Sequence, residues 1–261
     1  MRVLGKTVSQ PVGCCIYCGT TSEPLSAEHV VPLSLGGNLI LPMASCPRCA
    51  DITKRFEQTC ARSIFGPLRM RFNMPSRNKR ERPTELSLRV RKRPDSWREI
   101  RIPAQKHPIL FIGARLAPPG ILFDRAMTKL FVNARLVVKA WEKEIREVGV
   151  NPGEGLQLNT WQWGAFCKLL AKIAHGYAVS QIGVSTFTHF LPDLILGRSD
   201  IFPHYIGGDW EEPRQTPSNR LIELQLHKLN NTAYLFVTVR LFCFLNAPQY
   251  VVVVGNDLRQ A

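Results

Sequence analysis

Acidic side chains are in short supply in this 261-residue chain: 20 Asp and Glu stand against 34 Lys and Arg, leaving a formal charge of +14. With 45% hydrophobic and 21% charged residues, and no biased tract or internal repeat, it is neither a disordered acidic chain nor a repeat protein. Long apolar runs are missing as well. The charge-free stretch 173–192 is interrupted by His175, Gln181 and His189, whereas a membrane span needs about 20 mostly apolar residues. Behind Arg2 and Lys6 there is no apolar segment of the kind a secretory signal requires. A soluble, cytoplasmic protein of one large domain or two modest ones is the expectation. The excess of positive charge points to a polyanionic partner, nucleic acid first; a basic but otherwise ordinary enzyme is the plainer alternative.

What is present in unusual density is cysteine near the amino terminus. Five of the eight cysteines fall in the first 49 residues, and four of them make two Cys-x-x-Cys pairs, Cys15/Cys18 and Cys46/Cys49. In a cytosolic chain two such knuckles suit one tetrahedral zinc far better than disulfides. Gly19 permits the tight turn after the first pair. Cys14 is a bystander or a competitor of Cys15, and Cys60, Cys167 and Cys243 sit among apolar neighbours as core residues.

Charge is concentrated just beyond this cluster. Residues 62–106 hold fourteen basic and four acidic side chains, a net +10 in 45 residues. Within them Glu85 to Arg91 alternates with a period of two, Pro94-Asp95-Ser96 supplies a turn, and Trp97 to Ile102 alternates again. A β-hairpin follows, with Leu86, Leu88 and Val90 inward and Arg89 and Arg91 outward. Arg89, Arg91 and Arg93 are candidates for phosphate contact through counterion release, unless they form only a solvated face.

The remainder reads as helices followed by an antiparallel sheet. Apolar residues recur at helical spacing over 125–147 and 161–182, separated by Asn151-Pro152-Gly153. Strand-like runs follow over 221–227, 232–245 and 250–254. His175, His189, His204 and His227 are scattered and read as structural, and no site is evident in this half.

Between the cysteine pairs lies EHVVPLSLGGN, residues 28–38. A carboxylate beside a histidine, then proline and Gly-Gly, sits inside a zinc-pinned loop. Over about residues 15–57 the sequence resembles the zinc-bearing HNH, or ββα-metal, endonucleases. The resemblance implies a zinc-stapled ββα-metal finger (1–67); with the basic β-hairpin segment (68–120) and the unit of helices and antiparallel sheet (121–261) read above from periodicity, the expected fold class is α+β. The resemblance also implies a metal-dependent hydrolysis of phosphodiester bonds in nucleic acid, with DNA the favoured substrate. A non-catalytic zinc-finger module that binds nucleic acid is the alternative. His29 would be the general base, since a neutral imidazole can take a proton from water at physiological pH. Glu28, projecting to the other side of an extended segment, would bind a catalytic magnesium or manganese. The four thiolates would hold a separate, structural zinc, because a closed four-cysteine site leaves no position for water.

The helix after Cys49 carries a stripe of Ile52, Phe56, Cys60 and Ile64, is expected to stop at Gly66-Pro67, and presents Lys54, Arg55 and Glu57 on its other face. Two positions depart from the family pattern. The middle asparagine of the motif falls at Leu41, and Asn38, three residues earlier, is the nearest substitute, tying the finger loop. The residue after the fourth cysteine, normally His or Asn, is Ala50, which cannot bind metal. Asp51 is the nearest replacement, turned about 100° away on a regular helix, while Glu57 shares the face of Ala50 about 10 Å further along; Thr53 is a poor ligand alone.

Overall fold

The computed structural model describes residues 5–259 apart from 77–79, 81, 94–95, 109, 124–134, 141, 158–160 and 209–217. Strands β1 (Thr7–Val8), β2 (Ser26–His29) and β3 (Leu39–Ser45) form a sheet of order β1-β3-β2, with β2 antiparallel and β1 parallel to β3. Helix α1 (Pro47–Thr59) follows at once, so a ββα unit is built around the cysteine pairs. Pro47 occupies its first turn, where a missing N–H costs nothing. Phe56 and Cys60 are buried, as the stripe predicts.

Gly66-Pro67 does not end the helical run. Helix α1 passes through a π-turn (Cys60–Ile64) and a second helix, α2 (Gly66–Arg71), begins at that dipeptide. Proline suits the first turn of a helix as well as the position after one, and here it sits in the first turn of α2.

The basic segment forms the expected hairpin, β4 (Glu85–Arg93) with β5 (Ser96–Pro103), paired from Glu85↔Pro103 to Arg93↔Ser96. Leu88 and Val90 are buried and Leu86 half-buried, while Arg89 and Arg91 are exposed. The Pro94-Asp95 turn lies outside the described residues.

One expectation fails in the next segment. Residues 135–140, which carry the spacing of a helix over 125–147, form a strand. In chain order, β6 (Leu110–Arg115) pairs antiparallel with β7 (Arg135–Ala140), and among the described residues of 125–147 only α3 (Glu142–Glu147) is helical. The β-branched pair Val137-Val138 suits a ladder, and β6 supplies the partner; tertiary pairing overrides the local spacing. The part of the expected helix over 124–134 lies outside the described residues. Strand β8 (Gly155–Leu156) adds a third strand to the hairpin, whose small core gathers Leu88, Val90, Ile102 and Val150.

Helix α4 (Trp163–Ile182) is apolar nearly all round and buried accordingly, from Phe166 through Val179. After α5 (Pro192–Leu196) and α6 (Phe202–Tyr205) come β9 (Ile206–Gly208), β10 (Ile222–Lys228), β11 (Tyr234–Leu241) and β12 (Tyr250–Asn256), an antiparallel sheet of order β10-β11-β12-β9. The expected strand over 232–245 stops at Leu241, because Phe242 takes a left-handed φ of 59° and opens a 3-10 turn. Strand β9 has no alternating signature. It needs its glycines: a Cβ at Gly207 or Gly208 would collide with the backbone of residues 116–119.

One hydrophobic core runs through the molecule, joining Ile16, Val30, Leu41 and Phe56 to Leu170, Ile173, Val237 and Val252. The cysteine module therefore packs directly on α4, where Gly176 lies against Val30 and Leu41. No described helix is long and apolar enough to cross a membrane.

Candidate active site

The sulfurs of Cys15, Cys18, Cys46 and Cys49 lie within 4.8 Å of one another. Four ligands at about 2.3 Å around a tetrahedral zinc stand about 3.8 Å apart, and Cys18 Sγ to Cys46 Sγ is 3.7 Å. All eight cysteines are unbridged. Burial and the neighbouring sulfurs push the Cys49 thiol well up. The four residues are placed to hold a metal ion such as zinc. Cys14 stands outside the set, and Cys60, Cys167 and Cys243 are buried in the core with thiols pushed up to about 12, chiefly by burial.

Along β2 and α1 opens a cleft of about 1130 Å³. His29, half-buried, borders it, together with Ala50, Asp51, Lys54 and Glu57 of α1 and Leu86 and Ser87 of the hairpin. Glu28 borders it too, but its carboxylate is only 9% exposed and faces Lys172 of α4. The Lys172 ammonium, 1% exposed, lies 2.6 Å from Glu28 Oε1 and 2.9 Å from Glu57 Oε1, and donates to the carbonyls of His29 and Val30. Burial would strip its proton, but the two carboxylates outweigh burial and hold its pKa above the ordinary lysine value. Burial pushes Glu28 up against the opposing pull of Lys172.

The remaining candidates divide between the cleft and its surroundings. Asp51 and Lys54 are exposed along it. Arg55 is exposed on the same helix but does not line the cleft. Thr53 is buried, with its hydroxyl donating to the Ala50 carbonyl at 3.1 Å. Asn38 is not at the cleft: its side-chain amide donates to the Gly5 carbonyl at 2.9 Å and fastens the chain entering β1 beside β3.

Residues that no sequence motif singles out complete the walls. Arg62, Arg69 and Arg82 line the cleft. Arg69 is buried, and its guanidinium donates to the carbonyls of Ser34 at 2.6 Å and Ala61 at 2.9 Å; burial, then the like charges of Arg82 and Arg62, lower its pKa. On the hairpin, Trp97 is 41% exposed and cross-strand from Arg91. The guanidiniums of Arg89 and Arg91 lie 5.7 Å and 5.9 Å from its ring centre, within cation–π range. The backbone of Arg93 ends β4, and its side chain is outside the described residues. Lys172 does leave a trace in the sequence: with Lys168 it is a rare charge in an otherwise apolar helix.

The second ion implied by the resemblance, a catalytic magnesium or manganese, finds a poor fit. Ala50 offers no donor atom, Glu28 is engaged by an ammonium, and Asp51 is exposed. Among the described residues the four cysteines are the one group of three or more His, Cys, Asp or Glu donors close enough to share an ion.

Residues 15–63 match the family model for HNH endonuclease. The match runs from the first cysteine pair to the π-turn, about a fifth of the chain, and it suggests nuclease activity and nucleic-acid binding. Neither the search of curated proteins nor that of solved structures returned a match.

Proposed function

We propose that this protein is an HNH endonuclease that hydrolyses phosphodiester bonds in nucleic acid, with DNA as substrate. The observation that carries the reading is the position of His29: on β2 of the matched module, bordering a cleft whose walls carry Lys54, Arg62 and Arg82. A half-buried neutral imidazole there takes the proton from an attacking water, and the cations of the walls bind the phosphates on either side of the scissile bond. Arg89, Arg91 and Arg93 of the hairpin contribute further phosphate contacts through counterion release, and Lys54 and Arg55 of α1 do the same. Zinc at Cys15, Cys18, Cys46 and Cys49 is structural, stapling β2 and β3 to α1. Asn38 supports the module from outside the cleft. No step is assigned to a divalent ion at Glu28 and Asp51.

The test is conversion of supercoiled plasmid by the zinc-loaded chain, with and without added magnesium or manganese. Nicking or linearisation is expected. Failure to cut under every metal, with DNA binding retained, would favour the second reading, a module of the same fold that binds nucleic acid without cleaving it. Ala50 at the expected ligand position is the observation on its side.

A further inference from the structure

We propose that Lys172 is the resident cation of this site: its ammonium fills the seat between Glu28 and Glu57 and excludes a divalent ion from Glu28. The proposal rests on the nuclease site described above, but it is read by metal binding without substrate, so either can fail alone.

Four oxygens face Nζ: the carboxylates of Glu28 at 2.6 Å and Glu57 at 2.9 Å, and the carbonyls of His29 and, at 3.3 Å, Val30. Two carboxylates and two carbonyls are the hard-oxygen set that a divalent cation would seek. Here a side chain from α4, 143 residues downstream of His29, occupies it. A second cation bound to the same oxygens would sit within about 3 Å of a positive charge in a region that screens poorly. The ammonium cannot easily leave, because it is 1% exposed and a buried charge is stable only while paired.

The same contacts give Lys172 a positioning role. Nζ holds the carbonyl of His29 directly, and through Glu28 it holds the neighbouring side chain of β2, so α4 determines where the imidazole enters the cleft. The cluster meets the cleft at Glu57, whose side chain is 22% exposed. Glu57 therefore touches both the interior lock and the space where substrate would lie.

The test is Mn2+ titration of the zinc-loaded full chain, followed by electron paramagnetic resonance of the free ion. Wild type and Glu28→Gln are expected to take up Mn2+ alike, with no site that depends on Glu28. Lys172→Met frees both carboxylates and is expected to gain one Mn2+ per chain, a gain abolished in Lys172→Met/Glu28→Gln. If Lys172→Met does not fold, Lys172→Met/Glu28→Gln, which removes both the ammonium and the carboxylate nearest to it, is expected to recover folding, because the uncompensated buried charge is gone. A double variant that stays unfolded while Glu28→Gln alone melts like wild type would show that the ammonium is not the counter-charge of Glu28, and would overturn the proposal. A Mn2+ ion held by wild type and lost in Glu28→Gln would overturn the proposal and restore Glu28 as a metal ligand.

Discussion

His175 Nε2 donates to the carbonyl of Ile16 at 2.7 Å, so helix α4 grips the first cysteine knuckle between its two sulfur-bearing residues. The other ring nitrogen, Nδ1, is buried and has no hydrogen-bond partner among the described residues. Protonating it would put a charge and an unanswered donor into the core. Burial, then the neighbouring His189, lower the His175 pKa to about 4, with the Ile16 carbonyl opposing.

That depression makes stability depend on pH. The unfolded chain binds a proton near the ordinary histidine value of about 6.5, while the folded chain resists it down to about 4. The contribution is thus complete above about pH 6.5 and lost as pH falls toward 4. Its full size is about 3 kcal/mol. Thermal melts at pH 7 and pH 5 should show a fall in wild type that is reduced in His175→Gln. Equal falls in both would remove His175 as the cause.

Metal removal should reach beyond the module. A structural zinc contributes on the order of 10 kcal/mol, comparable with the whole stability of a domain. Cys15, Cys46 and Cys49 share one hydrophobic core with Leu170 and Ile173. Cys18→Ser, or a strong chelator, is expected to release one zinc per chain and to lower helical circular dichroism by more than α1 alone accounts for. Metal analysis finding no zinc in the native protein would end the assignment.

The hairpin separates two kinds of interaction. Replacing Arg89, Arg91 and Arg93 with Gln should lower the slope of log affinity against log salt by about one for each phosphate that the variant no longer neutralises. Trp97→Ala should leave that slope nearly unchanged but weaken single-stranded DNA binding by about 1–3 kcal/mol, the range for stacking one base on an aromatic ring. If Trp97→Ala changes only the salt slope, the exposed ring serves as a platform for the arginines and not for a base.

What is legible in the sequence is local. Two Cys-x-x-Cys pairs and the helix that follows them are short-range patterns, and the structure brings their sulfurs together. The alternation of Leu86, Leu88 and Val90 against Arg89 and Arg91 is likewise a property of neighbouring residues. Residues 135–140 mislead because Leu136, Val137 and Val138 satisfy a helical spacing as readily as a strand. Only β6, some twenty residues earlier, decides between them. Glu28 is hidden for a deeper reason. As a ligand it needs only its own motif, but its partner Lys172 lies in another helix, and no spacing rule connects them. No motif marks that half of the chain as part of a site, yet it supplies the group that holds β2.

Catalysis itself turns on His29. His29→Ala should reduce cleavage by about 10²- to 10⁴-fold, the usual cost of losing a general base, while zinc content and DNA affinity stay near wild type. A general base acts in the transition state and contributes little to ground-state binding. The side chain borders the cleft and is half-buried, so its removal leaves no large void in the core. Its carbonyl, the part that Lys172 holds, is retained in the variant. The fold around the cysteines should therefore be preserved, and added imidazole should restore part of the activity by entering the vacated space. Plasmid cleavage, zinc analysis and a binding isotherm on the same preparation check all three expectations. Equal cleavage by wild type and His29→Ala would remove His29 from the chemistry and, with it, the nuclease reading of this cleft.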